Sequence, residues 1–163
     1  MNYLTITHND MLNGDGLRVV LWVSGCTLHC EDCQNKYSWD FNEGVLFDER
    51  AKEEIFSELK KDYISGITIT GGHPLESQNI EEIEKLCKEI KINFPNKTIW
   101  LYTGFIFEEI KNYPILKYID VLIDGRYEKE LRDISLKWRG SQNQRVIDVK
   151  KSLISSEVVL WCD

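Results

Sequence analysis

The sequence predicts an α/β fold in which mostly parallel strands form a partial, open β/α barrel. Short β-branched runs alternate with amphipathic helical stretches, which is the pattern of βα units. The predicted strands end in Gly or Asp-Gly. The chain has 163 residues, whereas a closed eight-unit barrel takes about 250. We therefore expect one domain, residues 1–163, whose sheet stays open on one side.

Strands are predicted where apolar and β-branched residues run together. The run 17–23 predicts a buried strand that stops at Gly25, directly before a cysteine. The next strand, 67–70, is stopped by Gly71-Gly72. Similar runs predict strands at 99–103, 119–123, 146–149 and 157–161.

Helices are predicted between these strands. Asp48 can cap a helix that runs through Lys60 with its apolar residues on one face. Asn79 with Glu82 resembles a capping box before a second helix, and a short helix at 107–111 ends before a proline. Because the carboxyl ends of parallel strands share one edge of a sheet, segments 24–26, 70–72, 103–104 and 124–125 should converge on one mouth, where we expect the site.

Charge and hydropathy exclude two classes of partner. The 20 Lys and Arg against 27 Asp and Glu give a net charge of -7, which provides no basic face for nucleic acid. The longest apolar run, 19–23, is far shorter than the roughly 20 residues of a membrane-spanning helix. The N-terminus has no basic region followed by an apolar one, so we expect a cytoplasmic protein.

Three of the five cysteines, Cys26, Cys30 and Cys33, lie on one short loop after the first predicted strand. Soft sulfur ligands select iron-sulfur clusters, zinc or copper(I). Three thiolates leave one corner of a cubane cluster open to a small molecule. The alternative is a structural zinc site with a fourth ligand from His29, Cys87 or Cys162, although Cys87 falls on the apolar stripe of a helix.

The cysteine spacing, followed by Gly71-Gly72-His73-Pro74 after the next strand, resembles the radical S-adenosylmethionine superfamily. Within it, the chain resembles the activating proteins of anaerobic (class III) ribonucleoside-triphosphate reductases. The late Trp138-Arg139-Gly140-Ser141 segment narrows the resemblance to these proteins. The matching stretches follow the family's order at 13–18, 25–35, 68–75, 102–104, 120–125 and 138–144.

The resemblance implies that Cys26, Cys30 and Cys33 bind a 4Fe-4S cluster whose fourth iron holds S-adenosylmethionine. It also implies cofactor contacts from Asp32, Cys33 and Gln34 on the adenine side and from Gly71, Gly72 and His73 on the methionine side. Relatives usually carry Gly-Cys-Tyr at the third cysteine and a carboxylate in place of His73. This chain lacks both the aromatic residue and the fixed negative charge at those positions.

The implied activity is reductive cleavage of S-adenosylmethionine to a 5′-deoxyadenosyl radical, which forms a glycyl radical on the reductase. Expected partners are the large subunit of the reductase and reduced flavodoxin or a similar electron donor. The reductase is expected to enter the open side near Gly104, Asp124 and residues 138–144. Two alternatives stay open: an activase of another glycyl radical enzyme, such as a formate-lyase, and a non-catalytic zinc or iron-sulfur binding module.

Overall fold

A seven-stranded sheet organises the computed structural model, which describes residues 1–161. Its strands are β1 (Asn2–Asp10), β2 (Leu17–Val23), β3 (Val45–Leu46), β4 (Ile64–Gly71), β5 (Thr98–Tyr102), β6 (Val121–Asp124) and β7 (Arg145–Asp148). The helices are α1 (Glu49–Leu59), α2 (Ile80–Asn93), α3 (Phe107–Ile110) and α4 (Val149–Ser155). Among the described residues, no helix has the length and apolar character needed to cross a membrane. Cys162, a candidate zinc ligand, lies outside the described residues.

The strands lie in the order β3-β1-β2-β4-β5-β6-β7. The central strands β2, β4, β5 and β6 are parallel, whereas β1, β3 and β7 pair antiparallel. The predicted parallel arrangement therefore holds for the four central strands, whereas the described sheet as a whole is mixed, and the partial barrel stays a prediction. The prediction of an open sheet is confirmed, since β3 and β7 are its edges.

The predicted strand 17–23 and the helix capped by Asp48 are confirmed. In that cap, Asp48 Oδ1 accepts a hydrogen bond of 3.0 Å from the Ala51 N–H. The predicted capping box at Asn79 is wrong, because its amide donates instead to the carbonyls of Ser24 and His73.

The chain ends differ from the sequence-based prediction. The antiparallel strand β1 was not predicted, since its polar residues mask the strand pattern. Segment 157–161 is not a strand, and its Leu160 makes only an isolated bridge to Ile147. Before it, Asp148 caps α4 by accepting the Lys151 N–H at 3.0 Å, and this helix between the two predicted strands was not predicted.

One face of the sheet packs against the helices and forms the main core. Alternate strand residues such as Leu21, Ile69 and Leu101 point to this face, because side chains alternate across a strand. Helices α1 and α2 cover them with buried residues, including Ile55 and Ile90. Cys87 of α2 is completely buried here, which confirms its prediction as a core residue.

The opposite face of the sheet is covered by loop segments. Trp100 of β5 packs edge-on against Trp138 of the irregular segment 126–144, with ring centroids 4.9 Å apart. The Tyr102 hydroxyl donates to the Trp138 carbonyl at 2.6 Å. These contacts fasten the segment over the strands. We call this side the inner face.

Arg18 ties three neighbouring strands together beneath the inner face. Its fully buried guanidinium donates to Thr68 Oγ1, to Thr98 Oγ1 and to three backbone carbonyls, of Asp15, Ile67 and Thr98. The guanidinium carbon also lies 5.2 Å from the centre of the Trp100 ring. Burial lowers the pKa of Arg18 to about 10, so the side chain stays charged at neutral pH.

We expect Arg18→Lys to lower the free energy of unfolding by about 2–4 kcal/mol, because an ammonium cannot reproduce the planar fork of donors. The measurement is urea denaturation followed by circular dichroism. The matched control is Arg50→Lys on the exposed side of α1, which should change stability by less than about 0.5 kcal/mol. Equal losses in the two variants would contradict the anchoring role.

Candidate metal centre

The three clustered cysteines lie on the loop that follows β2, which we call the cysteine loop (residues 24–35). The Gly25 N–H donates to the Ser38 carbonyl at 2.7 Å, and the Cys26 N–H donates to the Trp39 carbonyl at 3.1 Å. These bonds close the loop at its base. Cys26, Cys30 and Cys33 are all half-buried with free thiols.

Local backbone geometry folds the cysteine loop tightly. His29 and Asp32 adopt left-handed φ values of 44° and 54°, which are uncommon for residues other than glycine. The Cys33 N–H donates to the Cys30 carbonyl at 3.1 Å, and the Asn35 N–H donates to Cys33 Sγ at 3.4 Å. His29 stacks on Trp39 with ring centroids 4.2 Å apart, so its ring shapes the loop.

Burial makes two of the three clustered thiols harder to ionise than a free cysteine. Burial raises the pKa of Cys26 and of Cys30, and the neighbouring cysteines add to both shifts, so metal binding must displace protons. Within residues 1–161, no three Cys, His, Asp or Glu side chains converge as a single ion requires.

A glycine turn (residues 71–74) packs directly against the start of the cysteine loop. The Gly72 N–H donates to the Val23 carbonyl and the His73 N–H to the Gly25 carbonyl, both at 2.8 Å. A Cβ on Gly72 would lie 2.6 Å from the Gly25 oxygen, closer than a real side chain allows. Contact between Gly71 or Gly72 and a cofactor stays a prediction, while the contact with Gly25 by itself requires glycine.

His73 is turned into the protein. Its side chain is 2% exposed, with Nε2 2.8 Å from Thr103 Oγ1 and Nδ1 3.3 Å from Glu76 Oε1. The ring also packs edge-on against Phe105, with centroids 4.6 Å apart. Both ring nitrogens thus have protein partners. The side chain is therefore not free to take the place of the exposed carboxylate that relatives carry at this position.

The strand ends converge as predicted. His73, after β4, contacts Thr103, after β5, and the Thr103 N–H donates to the Ile123 carbonyl of β6 at 2.9 Å. Together with the bond between His73 and Gly25, these contacts join the segments after β2, β4 and β5 at one end of the sheet.

A cavity of ≈ 420 Å³ lies on the inner face beside the cysteine loop. Its size falls within the usual range for small-molecule sites. The sheet contributes Trp22, Thr70 and Tyr102, and segment 126–144 supplies the opposite wall. Cys33 and Gln34 line the end formed by the cysteine loop.

Asp32 is not among the residues that line this cavity, and its carboxylate pairs with lysines. Its carboxylate lies 3.2 Å from Lys129 Nζ, which also pairs with Glu31 at 3.0 Å. The hydrogen bond from Lys129 lowers the pKa of Asp32. The pairs fasten the cysteine loop to segment 126–144, and contact between the Asp32 side chain and a cofactor stays a prediction.

Residues 12–147 match the family model described as a 4Fe-4S single cluster domain. The chain is 51% identical to the anaerobic ribonucleoside-triphosphate reductase-activating protein of Enterobacteria phage T4, over 90% of this chain and 93% of that protein. Proteins of the same name from Haemophilus influenzae and Escherichia coli (strain K12) are 44% and 39% identical, covering 88% and 90% of this chain and 96% and 97% of their own.

The chain belongs to the family of anaerobic ribonucleoside-triphosphate reductase-activating proteins. The resemblance seen in the sequence is confirmed at this level. The residues matched by the family model include the three cysteines, the glycine turn and the segment 138–144.

The open side of the chain differs in detail from the surface that we expected to bind the reductase. Asp124 is fully buried and accepts the Phe107 N–H at 2.8 Å, and Trp138 is half-buried on Trp100. The apolar side chains exposed at the mouth of the cavity are Leu12, 81% exposed, and Ile134, 89% exposed.

Glu76 is a site residue that the sequence did not reveal. Its Oε1 accepts both the N–H and the hydroxyl of Thr27, each at 2.8 Å. Thr27 directly follows Cys26, so Glu76 holds the first turn of the cysteine loop. A glutamate shortly before a predicted helix is typical of a solvated helix start, so its residue type and position did not single it out.

The buried His73 predicts acid sensitivity. Burial lowers the pKa of His73 in the folded chain. Below about pH 6.5 the unfolded chain therefore binds a proton that the folded chain does not bind. Stability should therefore be lost as the pH falls from about 7.5 to 5.5. The charged groups that act on His73 are Glu76 and Arg126. The pKa of Glu76 is itself lowered, so Glu76 titrates below this range.

The measurement is the free energy of unfolding of the metal-free chain and of His73→Gln across this pH range. We expect the variant to be less stable at pH 7.5 but to lose less stability on acidification. An identical pH dependence in the two proteins would contradict the role of His73.

Proposed function

We propose that this chain activates an anaerobic ribonucleoside-triphosphate reductase by reductive cleavage of S-adenosylmethionine at a 4Fe-4S cluster bound by Cys26, Cys30 and Cys33. The observation that carries the proposal is the placement of three free, half-buried thiols on one loop beside a cavity at the strand ends. The match to a 4Fe-4S single cluster domain and the names of the relatives support it.

When bound, the cluster supplies the electron that cleaves the sulfonium into methionine and a 5′-deoxyadenosyl radical. Cys26, Cys30 and Cys33 would hold the cluster, and a set of three ligands would leave room for the amino and carboxylate groups of the cofactor to bind it. The chain's own residues bind, orient and shield the cofactor. The proposed outcome would be a glycyl radical on the reductase, with the abstracted hydrogen atom carried away in 5′-deoxyadenosine.

We propose that the methionine end of the cofactor lies against Gly71 and Gly72, with His73 holding the turn from inside. The adenine end would lie along Asp32, Cys33 and Gln34, through their backbone. The aromatic residue that relatives carry after the third cysteine is replaced here by Gln34. The cavity walls still offer aromatic faces from Trp22, Tyr102 and Tyr127.

The open cavity argues for a large protein partner. A deoxyadenosyl radical reached by water or by stray side chains would be quenched, and the cavity mouth is exposed at Leu12 and Ile134. We propose that the reductase closes this mouth with its glycine-bearing loop, and that a small reductant such as reduced flavodoxin supplies the electron. The reductase is favoured over a formate-lyase type partner because the relatives cited carry its name.

We expect Cys→Ser at position 26, 30 or 33 to abolish both cluster assembly and cofactor cleavage, because each thiolate is a ligand. The measurements are iron and sulfide content after anaerobic reconstitution and deoxyadenosine formation with a strong reductant. Cys87→Ala is the control, since that thiol lies in the core, and Cys162→Ala should likewise keep activity. Deoxyadenosine formation at the unsubstituted rate by any of the three loop variants would refute the ligand assignment.

We expect Ile134→Asp to lower glycyl radical yield on the reductase about tenfold, a loss of about 1.4 kcal/mol in docking. Deoxyadenosine formation without the reductase should stay unchanged, since this side chain is 89% exposed. The matched control is Ile154→Asp on α4, 86% exposed and away from the cavity. Equal radical yields from the two variants would show that the reductase docks elsewhere.

A further inference from the structure

Glu76 is a buried carboxylate without a cationic partner. Its side chain is 11% exposed, and its Oε1 accepts two bonds from Thr27 and lies 3.3 Å from His73 Nδ1. In the part of the chain that the structure describes, no lysine or arginine is ion-paired with it. An unpaired buried charge is costly, so its presence here calls for a functional reason.

The neighbouring imidazole does not neutralise this charge. Burial lowers the pKa of His73, so the ring is neutral at neutral pH. Burial alone would raise the pKa of Glu76, but the bonds from Thr27 and His73 outweigh it and lower that pKa. The pair therefore carries one negative charge inside the protein.

This charge acts on the cysteine loop. Thr27 follows Cys26 directly, so the two bonds to Thr27 fix the backbone beside the first cysteine. Because Glu76 Oε1 lies 2.8 Å from the backbone nitrogen of the residue next to Cys26, its charge also lies close to that cysteine.

We propose that Glu76 is a positioning residue that holds the Cys26 end of the cysteine loop and places a fixed negative charge beside the bound cluster, which lowers its reduction potential. The proposal rests on the proposed function, because it assumes a cluster at these cysteines. Adding an electron next to a buried anion is unfavourable, and nearby charge is one of the factors that set cluster potentials. A lower potential gives the reduced cluster more driving force to cleave the sulfonium.

Three substitutions separate the two effects. Glu76→Gln removes the charge and keeps an oxygen that can accept from Thr27. Thr27→Val removes the hydroxyl bond and keeps both the charge and the backbone bond. Glu81→Gln, on the exposed side of the first turn of α2, removes a nearby charge that water screens, and it serves as the matched control.

The first measurement is a redox titration of the reconstituted full chain, followed by electron paramagnetic resonance. In Glu76→Gln we expect the ratio of reduced to oxidised cluster at a fixed potential to rise about tenfold, which is about 59 mV for one electron. Thr27→Val and Glu81→Gln should change that ratio by less than about threefold. An unchanged ratio in Glu76→Gln would overturn the electrostatic effect.

The second measurement is the rate at which iodoacetamide alkylates Cys26 in the metal-free full chain, read by peptide mass spectrometry. Glu76→Ala and Glu76→Gln both lose the charge, but only the alanine variant loses the bonds to Thr27. We expect Cys26 to react severalfold faster in Glu76→Ala than in Glu76→Gln. Equal rates would overturn the positioning effect.

Buried Cys87 reports whether each variant keeps its fold, because it should resist alkylation throughout. If Glu76→Ala exposes Cys87, Glu76→Leu replaces it, since leucine fills the space without accepting a hydrogen bond. The alkylation test needs no cluster. Failure of every chain to assemble a cluster would therefore count against the proposed function alone, while alkylation still decides the positioning effect.

Discussion

A close backbone contact between two glycine-containing segments sets the geometry of the whole site. Strands β2 and β4 pair in parallel up to Val23 and Gly71, and the contact continues beyond their ends because Gly72 has no Cβ to strike Gly25. The glycine turn can then hold the base of the cysteine loop, and Glu76 comes within reach of Thr27. The pairing of the two strands thus positions the cysteine loop before any metal binds to it.

The sequence predicted the central part of the fold better than its margins. The buried strand 17–23 and helix α1 carry strong local patterns, a β-branched apolar run and an aspartate cap, and both are confirmed. Strand β1 is rich in polar residues and is exposed in part, so its pattern resembled a loop. Its antiparallel pairing with β2 and β3 depends on those partner strands, which the local pattern of one strand does not encode.

The sequence predicted those parts of the candidate site that depend on the spacing of residues along the chain. It did not predict those parts that depend on where a side chain points. The cysteine loop and the glycine turn were recognisable from residue type and order. The inward orientation of His73 was not, because it depends on Thr103 and Phe105, which come thirty or more residues later. Glu76 was missed for the same reason, since its partner Thr27 lies 49 residues earlier.

The two faces of the sheet are covered in different ways. Helices α1 and α2 pack against one face through a continuous apolar core. The inner face is covered by segment 126–144, which is fastened through a small aromatic cluster around Trp100 and Trp138 and through the exposed ion pairs of Lys129. Local unfolding costs least where few apolar contacts must break. The covering segment can therefore separate from the sheet at a lower free energy than the helices, so amide hydrogens there exchange with solvent while the core stays closed.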